Sequence, residues 1–295
     1  ILTYALIIIN VMKTFLLAAF LVAAIASFET TNYPFFENKT ADELRAEYLG
    51  LNTDFDQDTM LSMFFEAKVE NIQTPESFDW RKVNPKCVHP VRDQGKCGSC
   101  WAHSASESFS DRVCIQSNGA IDRIFSPQQL VNCDLIDHGC AGGFLTTPFL
   151  YYATVGAQEE ACYGPYNSGS TGKRTESCFL KKWNCPVIRA NMTSIRWLTT
   201  PQAIKEELVK NGPVNTGFKV YDDFMKYQSG IYVKNSNNLL GGHAVKIVGW
   251  GVEDNVEYWI VQNSWTEKWG EKGYFRIKFG QCGIDASGVS VNPSL

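Results

Sequence analysis

Apolar residues recur at three different spacings along this chain, and the spacings divide it into regions. The first 26 residues are almost unbroken apolar sequence, interrupted at Asn10 and Lys13. Met12-Lys13, the apolar run at 14–23 and the small-x-small triplet Ala24-Ile25-Ala26 predict a secretory signal peptide cut after Ala26, with residues 1–11 as an apolar extension upstream of the start. Residues 1–27 are also long enough for a membrane anchor. That reading would bury Asn10 and Lys13 in mid-span, so the signal peptide is expected.

Further on the spacing becomes helical. Thr40-Ala41-Asp42-Glu43 opens a short capped helix to Leu49. From Cys100, apolar Trp101, Ala105, Phe109 and Val113 recur at four-residue steps, which predicts a helix with one buried face. Ser126-Pro127-Gln128-Gln129 starts another, with Ser126 as N-cap and Gln129 closing a capping box. Thr200-Pro201 starts a helix that stops at Asn211-Gly212-Pro213, its charge-rich stretch at 205–210 read as a solvated face. Beyond it the pattern is strand-like at 244–250, 257–263 and 274–278. Residues 163–177, rich in Gly, Ser and Thr, read as an exposed loop. A helical region followed by a β-rich one implies an α+β chain of two lobes.

Composition narrows the class. Of 295 residues, 44% are hydrophobic and 20% charged, which is a globular balance with enough apolar material for one large core or two smaller ones. Net charge is −4 and lysine and arginine form no run beyond pairs, so nucleic acid is not an expected partner. Residues 27–73 contain no cysteine, and Asp54, Asp56 and Asp58 make their second half acidic; composition alone would allow a linker there. Asn38-Lys39-Thr40 and Asn191-Met192-Thr193 are glycosylation sequons.

All ten cysteines follow residue 86. In a secreted context this predicts disulfides. Cys97-Gly98-Ser99-Cys100 alone could be a redox pair or half of a zinc site. Neither explains Gly241-Gly242-His243-Ala244 or Gln262-Asn263-Ser264-Trp265 downstream. Cys133 and Cys140 are spaced too widely for a second ligand pair, so no metal site is expected. Cysteine attacks as a preformed thiolate, and two features would lower the pKa of Cys100: the start of a helix and a docked His243. If 244–250 and 257–263 form a hairpin turning at Glu253-Asp254-Asn255, His243 faces Asn263, whose amide oxygen can orient the imidazole. Treating Cys100 as catalytic leaves nine cysteines, so one more is free or pairs between chains.

The run Gln94-Gly95-Lys96-Cys97-Gly98-Ser99-Cys100-Trp101, with the His and Asn motifs far downstream, resembles the papain-family cysteine proteases. Asp111-Arg112-Val113-Cys114-Ile115, Lys210-Asn211-Gly212-Pro213-Val214 and 242–251 resemble the cathepsin B branch. The resemblance covers residues 75–295. It implies a papain-like α+β fold, with a helical lobe at roughly 87–185, a β-rich lobe at roughly 186–295 and the active cleft between them. It also implies an inhibitory propeptide at 27–73 and a mature peptidase at 74–295. Cys100, His243, Asn263 and Gln94 would be catalytic, Gln94 donating to the oxyanion. Gly142 and Gly143 would hold substrate backbone, Trp265 would shield the Asn–His bond, and Leu145, Ala244 and Ser287 would line the S2 pocket. The implied disulfides are Cys87–Cys114, Cys97–Cys140, Cys133–Cys178 and Cys162–Cys185, leaving Cys282 as a buried free thiol.

Cathepsin B carries an extra loop with a pair of histidines that bind a substrate's C-terminal carboxylate. Residues 163–184 are too short for that loop and hold no histidine, so an endopeptidase is expected. Ser287 stands where cathepsin B has a glutamate, which predicts apolar P2 residues, with Asp285 nearby as a possible source of acidity. The expected molecule is a monomer of the secretory pathway, lysosomal, vacuolar or exported. It would act on protein and peptide substrates without a cofactor, and its own propeptide and cystatin-like proteins would inhibit it. The rival is a catalytically silent binding or adhesion homologue, against which the four retained site residues count. His103 stands where the family has a phenylalanine and is read as a core residue packing like an aromatic ring; the sharper reading is a second titratable group near the thiolate. His89 and His138 are read as surface loop residues.

Overall fold

The computed structural model describes residues 27–52, 65–66, 69–175, 178 and 184–295. The expected signal peptide and the acidic cluster at Asp54, Asp56 and Asp58 lie outside the described residues.

Five helices matter for the site: α1 (Ala41–Tyr48), α2 (Cys100–Gln116), α3 (Pro127–Cys133), α4 (Thr147–Thr154) and α5 (Pro201–Asn211). α1 begins on a reciprocal cap: Thr40 Oγ1 accepts from the Glu43 amide and Glu43 Oε2 from the Thr40 amide. At α3 only half of the expected box forms. Ser126 Oγ accepts from the Gln129 amide, but the Gln129 side chain turns away to Gly156 and Gln158. α2 differs from expectation too, since residues 100–114 are buried on every face. A helix buried all round needs partners for its polar residues. Ser104 finds them on Val245 and Asn215, and Ser110 on Ser106 and Phe125.

Four strands carry the second lobe: β1 (Val214–Tyr221), β2 (Leu239–Glu253), β3 (Val256–Gln262) and β4 (Tyr274–Lys278). They pair antiparallel in the order β1-β2-β3-β4, and Tyr227–Tyr232 extends the sheet parallel to β4. The β2–β3 register differs from the expected one. Lys246, not Ala244, lies opposite Gln262. The turn is tighter than expected: only Asp254 and Asn255 turn, both at positive φ (50° and 62°), the mark of a two-residue primed hairpin. A bulge at Ile260/Val261 shifts the pairing again.

One core lies under the sheet, rich in Trp250, Trp259, Trp265, Trp269 and Phe275. The other surrounds α2 and includes Phe109, Phe125, Phe149 and Tyr152. The cores do not divide the chain at one point. Trp197, Val289 and Val291 belong to the α2 core, and Pro293–Ser294 pairs with Val187–Ala190. Arg112, 1% exposed, ties the two together through the carbonyls of Gly212, Pro213 and Val291 and an ion pair with Glu207. Glu206 is also buried and accepts from the Glu70 amide, so the 205–210 stretch is not a wholly solvated face.

Two more expectations are corrected. His89 is buried: its ring nitrogens contact Asp111 (2.7 Å) and Asp122 (3.1 Å), because Asp111 and Lys246 form an ion pair deep between α2 and β2. The 163–177 stretch is not simply exposed. Ser168–Thr171 is a helical turn, Ser168 is buried, and Gly169 accepts from the Lys96 amide.

Candidate active site

Cys100 is the first residue of α2, at the floor of the groove between the two lobes. Its N-cap, Ser99, makes no side-chain cap bond and contacts the Tyr166 hydroxyl instead (2.7 Å). The first amides of α2 are therefore left for the thiol. Cys97 is disulfide-bonded to Cys140, so the two cysteines of the Cys-x-x-Cys run have separate fates. The remaining disulfides are Cys87–Cys114, Cys133–Cys178 and Cys162–Cys185.

His243 comes from the middle of β2, opposite Phe218 on β1. Its Nε2 lies 2.7 Å from Asn263 Oδ1. The pair forms although the register differs from the expected one, because Asn263 stands one residue past the end of β3 and turns back. The Trp265 ring lies over the imidazole, centroids 4.7 Å apart. His243 Nδ1 has no hydrogen-bond partner among the described residues and remains the free face of the ring. The amide of Ala244 donates to Cys100 Sγ (3.3 Å), which puts the start of α2 against β2. Gln94 is fixed from both sides: its own amide donates to the Ser264 carbonyl and Oε1 accepts from Ser264 Oγ (2.7 Å). Cys100, His243, Asn263 and Gln94 are thus brought to one place.

That place is covered. Residues 45–52 cross the groove, tied almost entirely through backbone. Arg45 donates to the Leu240 carbonyl, Trp265 Nε1 to the Tyr48 carbonyl, and Gln94 Nε2 to the Glu47 carbonyl. Leu51 bridges Gly143 on one side and Gly242 on the other. Gly143 takes part on both its polar atoms, donating to the Gly50 carbonyl (2.9 Å) and accepting from the Asn52 amide (2.8 Å). A Cβ on Gly50 would lie 2.2 Å from the Gly98 carbonyl oxygen, and one on Gly142 2.7 Å from Asn52 Oδ1. Only glycine allows these approaches.

The Leu51 side chain enters a cavity of about 590 Å³. Leu145, Trp197, Gly217, Ala286 and Ser287 form its wall. Ala244 is not among the described lining residues; it serves the thiol through its amide instead. Gly217 was missed in the sequence. Its signal was a glycine inside a strand, which often marks a close approach, and a Cβ there would lie 2.3 Å from Leu51. Cys282 is unpaired, but only half-buried, and lines the same cavity. The Asp285 carboxylate does not face it, because Oδ2 accepts from Trp259 Nε1 and the Gly280 amide.

Burial sets the protonation states. It pushes the Cys100 thiol up to about 12, against the opposing amides of Ala244, Trp101 and Cys100. It pushes His243 down to about 4, against the Asn263 bond. In the covered state the site therefore holds a neutral thiol beside a neutral imidazole. His103 is also buried, with its edge against the Tyr166 ring, and burial drives it down to about 3.

Residues 74–292 match the papain family cysteine protease domain, and the chain belongs to that family. It is a cysteine-type peptidase with cathepsin B-like relatives. It is 41% identical over 223 residues to cathepsin B-like CP3 of Giardia intestinalis, covering 74% of each chain. It is 36% identical over 261 residues to cathepsin B-like cysteine proteinase 5 of Caenorhabditis elegans, covering 75% of each. In three dimensions it resembles procathepsin B S9 of Trypanosoma congolense, with a TM-score of 0.80 and 28% identity over 91% of this chain and 94% of that one.

Proposed function

We propose that this chain is the zymogen of an endopeptidase, with residues 27–73 as its propeptide and 74–295 as the mature enzyme. The observation that carries this reading is the backbone path of residues 48–52. They lie along Gly143 and Gly242, with the apolar side chain of Leu51 against Gly217 in the cavity, as an extended peptide in the groove would.

Once the segment leaves, water returns to the groove and the desolvation that keeps Cys100 and His243 neutral is relieved. The proton moves from Sγ to Nδ1, and the α2 N-terminus favours the resulting thiolate. Asn263 holds the imidazole in place through Nε2. The thiolate adds to the substrate carbonyl, forming a C–S bond. Gln94 Nε2, freed from Glu47, and the Cys100 amide donate to the oxyanion. Collapse breaks the C–N bond, and the amine leaves with the proton from His243. Water then attacks the thioester with His243 as base, the C–S bond breaks and the acid departs. Thiol and imidazole suffice, and no cofactor enters.

Gly142 and Gly143 would receive substrate backbone and Trp265 would line the far side of the cleft. Leu145 and Ser287 would receive an apolar P2 side chain. Residues 163–184 hold no histidine, so the histidine pair that binds a C-terminal carboxylate in cathepsin B has no counterpart there, which favours cleavage inside peptides. The molecule would act as a monomer in the secretory pathway, open to cystatin-like inhibitors once the segment has gone.

The test has two parts. After release of the segment, a peptidyl epoxide should label the wild-type chain and leave Cys100→Ser unlabelled; absence of adduct on wild type overturns the catalytic reading. A blocked internal peptide should then be cut faster than dipeptides are released from a free C-terminus; dominant dipeptide release overturns the endopeptidase assignment.

A further inference from the structure

The cavity beside Cys100 has one charged residue among its described lining residues, and it is a cation. Lys219 lies two positions after Gly217 on β1, so the strand's alternation puts both on one face. Phe218 between them packs in the core and also borders the cavity. Gly217 admits Leu51 at that face, while Lys219, which is exposed, lines the cavity together with Cys282.

Among the described residues no carboxylate neutralises this ammonium. Lys219 has no ion pair among the described residues. Asp285, the nearest acid in sequence to the wall, is turned inward onto Trp259 and Gly280. Asp223, across from Cys282, is held by the Tyr232 hydroxyl and the Asn235 amide. Ser287, in the wall, spends its hydroxyl on the Gly217 carbonyl (3.2 Å). The space thus combines an apolar body, shaped by Leu145, Trp197 and Ala286, with one cation unpaired among the described residues. A side chain with methylenes and a terminal carboxylate matches both features.

We propose that Lys219 is a specificity-determining residue that makes this cavity accept a glutamate side chain of the substrate, alongside leucine-like ones. The proposal rests on the peptidase reading and names a substrate class for the same site. It also predicts that lysine and arginine are disfavoured there, since a second cation would meet the first without an anion between them.

The experiment uses segment-released enzyme from the full chain and blocked peptides that differ only at the cavity residue: Leu, Gln, Glu or Lys. The readout is the ratio of kcat/KM for the Glu peptide to that for its uncharged isostere Gln, near neutral pH. A fault in folding scales both peptides together, whereas the ratio reports the cavity. An exposed ion pair predicts a ratio about threefold to fivefold higher in wild type than in Lys219→Gln, shrinking as salt is added. Lys219→Glu should reverse the order and favour the Lys peptide. An equal Glu-to-Gln ratio in wild type and Lys219→Gln overturns the proposal while leaving the peptidase reading intact. Failure to cleave even the Leu peptide overturns both.

Discussion

The covering segment has two parts that hold the molecule by different means. Its first part, residues 28–48, docks through an added strand and a cluster of aromatic side chains, with the Glu47 and Tyr48 carbonyls as further ties. Phe28–Thr30 adds a strand to Tyr227–Tyr232, and Tyr33, Phe35, Phe36 and Tyr48 pack as a cluster against Trp265 and Trp269. Its second part, residues 49–52, holds the groove through carbonyls and amides, with Leu51 and Asn52 at the cavity and Leu51 as its apolar side chain there. Aromatic docking depends strongly on which residues are present. Backbone docking depends on glycine where the chains touch, at Gly50, Gly98 and Gly142, and little on the rest. The part that silences Cys100 is therefore held in place by a part that never touches it.

Four measurements sharpen this contrast. The largest effect belongs to the cover as a whole. With the thiol raised to about 12, the intact chain needs alkaline solution before a thiolate appears. Alkylation of Cys100 at neutral pH should be slower than in the released enzyme by on the order of 10⁴-fold. Its rate should keep climbing about tenfold per pH unit toward 12, and a plateau near pH 8 would contradict the covered state. Next comes the aromatic anchor. Phe36→Ala removes ring contacts to Phe35, Tyr48 and Trp265. For a half-buried phenylalanine this costs about 2–3 kcal/mol. Alkylation of the intact chain should rise roughly 30- to 150-fold; an unchanged rate means the anchor does not hold the cover.

Leu51→Ala should act more weakly, about 1–2 kcal/mol, or roughly fivefold to thirtyfold in the same assay. An effect larger than that of Phe36→Ala would invert the comparison. Smallest is Asn52→Ala. The Asn52 tie to Gly143 is made by its amide, while the side chain lies against Gly142 and makes a single long polar contact, 3.4 Å to His138. The rate should change by no more than about twofold.

Much of the site was legible because its parts are local. A helix start, a Gly-Gly-His and a Gln-Asn-Ser-Trp can each be read within a few residues. The union of Cys100 with His243 also reflects how motifs of a known kind constrain one another. Register was another matter. The expected hairpin reached the right partner for His243 by a wrong route, since neither the tight Asp254–Asn255 turn nor the bulge at Ile260/Val261 follows from alternation alone. His89 misled for a similar reason. Its burial depends on Asp111 and Lys246, which meet only when α2 packs on β2. The Gly/Ser/Thr-rich stretch looked like loop because its burial comes from Gln94, Lys96 and Gln128, far away in sequence.

The α2 core has a consequence for synthesis. Val289 and Val291, both fully buried in it, are made some 175 residues after α2 itself, and the strand that closes on Val187–Ala190 is later still. A nascent chain therefore carries its nucleophile helix through most of translation with an unfinished wall. Phe28–Tyr48 has no completed sheet to dock on in that interval, because Tyr227–Tyr232, Trp265 and Trp269 have not yet emerged. The covering segment and the surfaces it docks on can therefore come together only after Trp265 and Trp269 have been made.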